Sequence, residues 1–166
     1  GAGLLITIGK NARTIPAFLF SGFVGANVYA PSVASVAFEE DSSLMVIGEY
    51  AFANLDALES ITLPASVVNV SSFAFLGCTS LSTIEVGEGS MSLLSIDGSL
   101  YTQDASTLIL YAPGKTSAFT VPSSVSAISS YAFYAHEHLE VITIPESVTI
   151  IYESAFEDCS RLCVVN

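Results

Sequence analysis

The stretch Ile142-Thr143-Ile144-Pro145-Glu146-Ser147-Val148, with Ile151, Ala155-Phe156, Cys159, Leu162 and Val165 after it, decides how this chain folds. Ile142-Thr143-Ile144 alternates apolar, polar, apolar, the period of a half-buried strand. Pro145 then ends the strand, because proline has no N–H to give a ladder. The segment beyond it carries apolar residues at mixed spacing and turns the chain back.

Working outward, the same columns recur. Ala-Phe stands at Ala51-Phe52, Ala74-Phe75, Ala132-Phe133 and Ala155-Phe156, and Phe52 to Phe75 and Phe133 to Phe156 are both steps of 23 residues. Five residues before each Phe is Ile47, Val70, Ile128 or Ile151, and Ile15 with Phe20 keeps that offset in an earlier copy. Leu58, Leu81, Leu139 and Leu162 follow six residues after the Phe, then Ile61, Ile84, Ile142 and Val165. Pro-x-Ser-Val closes the unit at Pro64, Pro122 and Pro145. Several independent columns in one phase identify a repeat, and a unit this small buries its apolar face only by stacking on its neighbours.

The pattern Ile-x-x-x-Ala-Phe-x-x-Cys-x-x-Leu-x-x-Ile-x-Ile-Pro-x-Ser-Val resembles the BspA-like, or Treponema pallidum-type, leucine-rich repeats over nearly the whole chain. The resemblance implies a solenoid of about six turns, mainly β or α/β, with a parallel sheet on one face and short helical or 3₁₀ returns. At about 4.8 Å per strand the stack is on the order of 30 Å long. It also implies a non-catalytic surface or secreted protein acting in adhesion to host or microbial protein or glycan. The other reading is a structural, self-associating spacer of a larger bacterial envelope protein.

Two places depart from the period. Phe20 to Phe52 is 32 residues, with the excess around Gly22 to Pro31 or in the Glu39-Glu40-Asp41 turn. Phe75 to Phe133 is 58 residues, and the excess near 87–116 contains strand-like Leu94–Tyr101 and Thr107–Tyr111. Asp97-Gly98 is a favoured hairpin turn and Gln103–Ser106 a second, so a hairpin inserted within one solenoid domain over 1–166 is expected.

Composition excludes several classes. With 51% apolar and 12% charged residues the chain is not disordered. No apolar run approaches the roughly 18 residues of a membrane span. Sixteen acidic against four basic side chains make nucleic acid and anionic lipid poor partners. No leader stands at the start, where Gly1 looks like the remnant of a removed tag. The missing leader says nothing about compartment; an extracellular or cell-surface location, with the signal peptide already removed, is what the resemblance implies. Asn166 aligns in mid-strand with Thr62, Glu85 and Thr143, which suggests a piece of a longer chain. An open strand edge there makes the chain a monomer or a weak homodimer.

Candidate chemistry is thin. Cys78 and Cys159 share one column with Leu55 and His136 and are expected as core thiols, with Cys163 as a terminal core residue. His136-Glu137-His138 with Glu140 lacks the His-Glu-x-x-His spacing that aims two imidazoles at one ion, and His136 is expected to point inward. Glu39-Glu40-Asp41-Ser42-Ser43 has no calcium-loop spacing. Gly87-x-Gly89 lacks the third glycine of a dinucleotide loop, and no Gly-x-Ser-x-Gly elbow exists. No catalytic residue, cofactor or metal site is assigned, and the chain is not read as an enzyme. The outward strand positions Ser60, Thr62, Thr83, Glu85, Thr120, Val141 and Thr143 form a hydroxyl-rich face for an extended protein or glycan. The hairpin over Asp97–Ala105 and the Phe23–Tyr29 insertion rival it, since recognition often sits on projecting loops.

Overall fold

Where apolar and polar residues alternate, strands form and stack. The computed structural model describes residues 3–21, 32–115 and 117–165, and among them the chain is built from strands and turns with no helix. The Phe23–Tyr29 insertion and Asn166 lie outside the described residues.

One series of strands runs along the face foreseen from the alternation: β1 Leu4–Ile8, β3 Val33–Phe38, β5 Ser60–Leu63, β7 Thr83–Val86, β11 Ala118–Thr120, β13 Val141–Thr143 and β15 Val164–Val165. A second series lies on the return side: β2 Thr14–Ile15, β4 Val46–Ile47, β6 Asn69–Val70, β10 Thr107–Leu110, β12 Ala127–Ile128 and β14 Ile150–Ile151. Where neighbouring turns pair, the pairing is parallel in both, with Ile61 opposite Ile84 on one face and Ile47 opposite Val70 on the other; the first series breaks between β3 and β5 and between β7 and β11, the second between β6 and β10. Between the series, the Val of each Pro-x-Ser-Val donates its N–H to the proline carbonyl, at 3.1, 3.0 and 3.0 Å for Val67, Val125 and Val148. That bond is the β-turn that carries the chain from one face to the other.

The expected helical or 3₁₀ returns are corrected: beyond each short strand the chain makes only turns. The physical reason is that the N–H groups there serve the neighbouring turn. Phe52 donates to the Ala74 carbonyl at 2.9 Å, Phe133 to Ala155 at 2.9 Å, Asn54 to Leu76 at 2.8 Å and Ala135 to Glu157 at 2.9 Å. Positive φ angles two residues before and two after the Phe, 54° and 61° at Tyr50 and Asn54, 60° and 52° at Tyr131 and Ala135, break any helical path.

The inward columns make the core. Phe52 stacks on Phe20 at 5.6 Å and on Phe75 at 5.5 Å, with the ring planes within 12° and 7° of parallel. Cys78 closes the turn below, its Sγ donating to the Phe52 carbonyl at 3.0 Å, as Cys159 does to Phe133 at 3.0 Å. The fourth turn departs from this. Leu108 pairs with Ile128, but Tyr111, only three residues on, takes the Phe place: it donates to the Ala132 carbonyl at 2.9 Å and packs on Phe133 at 5.1 Å. Its corner is thus two residues short. Phe73 of the third turn bridges the gap to Tyr131 of the fifth at 4.8 Å, and Ser72 Oγ donates to the Ser130 carbonyl at 3.2 Å.

The insertion is a hairpin, β8 Leu93–Ile96 and β9 Ser99–Thr102, around Asp97 and Gly98 with φ of 48° and 70°. Two left-handed residues are what a type I′ turn needs. A Cβ on Gly98 would stand 2.8 Å from the Ser82 carbonyl oxygen, because the turn lies directly on β7, where Ile84 N–H donates to the Gly98 carbonyl at 2.9 Å. β9 then pairs antiparallel with β10, which rejoins the return ladder at β12. Leu100 and Tyr101, successive residues of β9, point to opposite faces and enter the two halves of the core.

If the Phe column is the core, Phe52→Ala leaves a void between two rings and destabilises by about 3–5 kcal/mol. Val68→Ala, exposed one residue before β6, changes stability by under about 0.5 kcal/mol. Urea unfolding of both variants checks this; equal effects would remove the Phe column from the core.

Candidate functional site

With the core columns directed inward, the outward strand positions face solvent, but they do not form one continuous ladder. Ser60 lies opposite Thr83, and Thr62 opposite Glu85, across the β5–β7 pair. Thr120 lies opposite Thr143 across β11–β13, where Val141 is opposite Ala118. The Asp97-Gly98 turn stands between the two pairs, so the seven candidate positions fall into two patches. Ser60, Thr62, Glu85 and Thr120 are exposed, while Thr83, Val141 and Thr143 are half-buried.

A groove of about 810 Å³ opens beside the first patch. Its walls are β3 and β5, its floor includes Val36 and Ile61, and Glu39, Glu40, Asp41 and Glu88 line its rim. Glu39 is anchored there, one carboxylate oxygen accepting the Lys10 backbone N–H at 2.9 Å. No strand pairing joins β3 to β5 among the described residues, although β3 pairs with β1 and β5 with β7. The Gly87-x-Gly89 segment contributes Gly87 to the same groove.

The hairpin is less open than a projecting loop. Lys115 Nζ meets Asp97 Oδ2 at 3.0 Å, and Ser95 Oγ donates to the Ile84 carbonyl at 2.7 Å, so one end is tied down. At the other end Asp104 accepts from Thr102 Oγ1 at 2.7 Å, the Ser106 N–H at 3.0 Å and Ser106 Oγ at 2.8 Å. The Thr102 hydroxyl, then the Ser106 groups, hold its carboxyl down at about 2. This turn is a rigid, self-satisfied surface.

His136 points inward, as its column requires, with Nε2 3.2 Å from the Ala112 carbonyl and Nδ1 without a partner. Burial lowers its pKa to about 4, outweighing the Ala112 contact that raises it. Glu137 is exposed and His138 half-buried. Among the described residues no group of three His, Cys, Asp or Glu side chains is placed to hold a metal ion. Cys78 is buried and Cys159 half-buried, and burial pushes the Cys78 thiol up to about 12. Cys163 corrects the expectation of a terminal core residue. It is exposed, because Val164 and Val165 have no further turn among the described residues packed against them.

One surface feature escaped the sequence reading. Phe18, Tyr50, Phe73 and Tyr131 all stand two residues before a Phe of the core column. Phe18 stacks on Tyr50 at 4.9 Å, and Tyr50 on Phe73 at 5.4 Å. The signal is an aromatic column in phase with the repeat, at positions that burial does not require.

The family described as BspA type leucine-rich repeat region matches residues 24–162 in six copies. Three solved structures are similar over 98% of this chain. The pneumococcal vaccine antigen PcpA is 29% identical with a TM-score of 0.80. A leucine-rich cell surface protein from Faecalibacterium prausnitzii A2-165 is 30% identical with a TM-score of 0.73. A leucine-rich repeat protein from Eubacterium ventriosum, at 20% identity and a TM-score of 0.69, shares the fold. The chain spans 38%, 41% and 53% of their respective lengths. No curated protein matches it. No helix among the described residues is long and apolar enough to cross a membrane.

Two expectations follow from the buried groups. An unfolded imidazole takes its proton near the ordinary 6.5 and the folded His136 only near 4. Protons therefore favour the unfolded chain. The His136 contribution to stability is full above pH 6.5 and is lost as pH falls toward 4, by up to about 3 kcal/mol. Urea midpoints at pH 7 and pH 4.5 should fall less for His136→Leu, the side chain that Leu55 places in this column; an identical fall would contradict the burial. A thiol-specific reagent should label Cys163 at once, Cys159 more slowly and Cys78 only on unfolding.

Proposed function

The chain belongs to the BspA type leucine-rich repeat family, and from that premise we propose that it is a non-catalytic cell-surface or secreted module, one solenoid domain of a longer protein, that binds protein or glycan of host or microbial origin. The observation that carries the reading is the outward strand face. The inward half of every turn is consumed by the core, while Ser60, Thr62 and Glu85 remain open beside a groove large enough for an extended segment. Thr83 completes that patch, and Thr120, Val141 and Thr143 form its counterpart beyond the hairpin. Membership of the leucine-rich repeat family supports an interaction role. The cell-surface description of the Faecalibacterium relative supports the location.

A second reading, a self-associating structural segment, is favoured by one observation. Ile150, Ile151, Val164 and Val165 on the last described strands are exposed, and an apolar strand edge pairs readily with another chain.

The test is binding of the chain to an array of matrix proteins, mucins and glycans, beside Thr62→Arg, Thr120→Arg and Thr143→Arg made singly. The proposal expects saturable binding by a monomer that weakens at least about tenfold in one or more variants, the size of a lost contact patch. Binding untouched by all three would move the site off the strand face. Absence of binding together with concentration-dependent mass would establish the structural reading instead.

A further inference from the structure

We propose that a cleft over the fourth turn is a second binding site, which takes one neutral sugar ring of a glycan. It shares no residue with the strand face, so the two readings stand or fall independently.

The cleft is the place of a missing corner. After Tyr111 the chain is drawn inward: the Gly114 N–H donates to the Leu81 carbonyl at 2.8 Å, and a Cβ on Gly114 would stand 2.5 Å from the carbonyl carbon of Ser80. A hollow of about 230 Å³ remains outside it. Leu76, Gly77 and Thr79 of the third turn form one wall, and Ala135, Glu137 and His138 of the fifth form the other, with Pro113 between them. Sites for drug-sized ligands run from about 300 Å³ upward, so this one admits a single ring.

The shortened corner also leaves main-chain groups without partners. Elsewhere the N–H two residues after the core Phe donates to the next turn, Asn54 to Leu76 at 2.8 Å and Ala135 to Glu157 at 2.9 Å. Gly77 holds that place in the third turn, yet its N–H meets no acceptor among the described residues. The Ala112 carbonyl, which a regular stack would offer it, lies against His136 Nε2 at 3.2 Å. Pro113 holds the same place in the fourth turn and has no N–H, which leaves the Tyr134 carbonyl without a donor among the described residues.

The two walls thus carry an unmatched main-chain donor and an unmatched main-chain acceptor, beside the Thr79 hydroxyl, the Glu137 carboxylate and the His138 imidazole. Leu76, Pro113 and Ala135 supply apolar surface. A ligand that only donates, such as a guanidinium, leaves the Gly77 N–H unmatched. One that only accepts, such as a carboxylate, meets Glu137 and the Tyr134 carbonyl. A hydroxyl both donates and accepts. A pyranose ring carries several hydroxyls around a face of C–H groups, which complements the polar walls and the apolar surface together.

The experiment titrates the isotope-labelled chain and follows its amide NMR shifts. The probes are the methyl glycosides of glucose, galactose and N-acetylglucosamine, with glucuronate and N-acetyl-arginine amide as the charged comparisons. At least one neutral glycoside is expected to move the Gly77 resonance saturably, with a Kd on the order of millimolar, since one sugar has few atoms to bind with. Being uncharged, it should bind alike at about 50 and 200 mM salt. Thr79→Arg, at an exposed position on the wall, fills the cleft and should weaken binding at least about tenfold, and Glu137→Ala several-fold. Resonances away from the cleft report that both variants keep the fold. The site is overturned by the absence of a saturable Gly77 shift with every neutral glycoside, or by a larger response to glucuronate or the arginine amide. Unchanged binding by a folded Thr79→Arg chain overturns it as well.

Discussion

The ring of Phe52 lies between those of Phe20 and Phe75, and no single turn contains enough apolar surface to enclose its own phenylalanine. Everything else in the fold follows from that shortage. A ring buried by its neighbours contributes about 1.5–3 kcal/mol of transfer free energy, with about 0.5–1.5 more from stacking geometry, only while the next turn is in place. The backbone reinforces the same dependence. The Phe N–H donates into the next turn's alanine carbonyl, and the thiols of Cys78 and Cys159 donate back to the preceding Phe carbonyl. Each turn is therefore satisfied by the turns beside it, and the stack is the smallest stable object.

That dependence explains how the fourth turn can differ without ending the solenoid. Tyr111 fills the ring column two residues early, Phe73 reaches across the shortened corner to Tyr131, and β10 restores the return ladder at β12. The hairpin is an internal joint whose two faces belong to two core clusters. The same joint interrupts the outer sheet, and a second interruption at β3 and β5 leaves the acidic groove. Irregularity in the ladder, more than the repeat itself, shapes the surface available to a partner.

Columns that must be buried were legible from the chain alone, since Phe, Leu, Ile and Val recur in phase and the core obeys them. Ile61, Ile84 and Ile142 are buried as their alternation requires. The Asp97-Gly98 turn was legible because its chemistry is local. The form of the returns was not, because whether an N–H bonds four residues back or to the next turn depends on the stack. Tyr111 was unreadable as a ring-column member because its spacing from Leu108 breaks the period. The division of Ser60–Thr62–Glu85 from Thr120–Thr143 depends on where a hairpin lies, a tertiary fact. The exposure of Cys163 was not legible because its column position does not reveal whether another turn packs over it.

The proposed binding surface is a consequence of the same arrangement: half of each turn is committed inward, which leaves the outward half to solvent. Amide hydrogen exchange measured residue by residue tests the underlying stack most directly. The account predicts that the N–H groups of Phe52, Tyr111 and Phe133, each bonded to a neighbouring turn, exchange only on global unfolding. The N–H groups of Phe38 and Thr62, on the sides of β3 and β5 where no ladder joins the two strands, should exchange far faster. Fast exchange at Phe52 and Phe133, or protection at Phe38 and Thr62 equal to theirs, would contradict it.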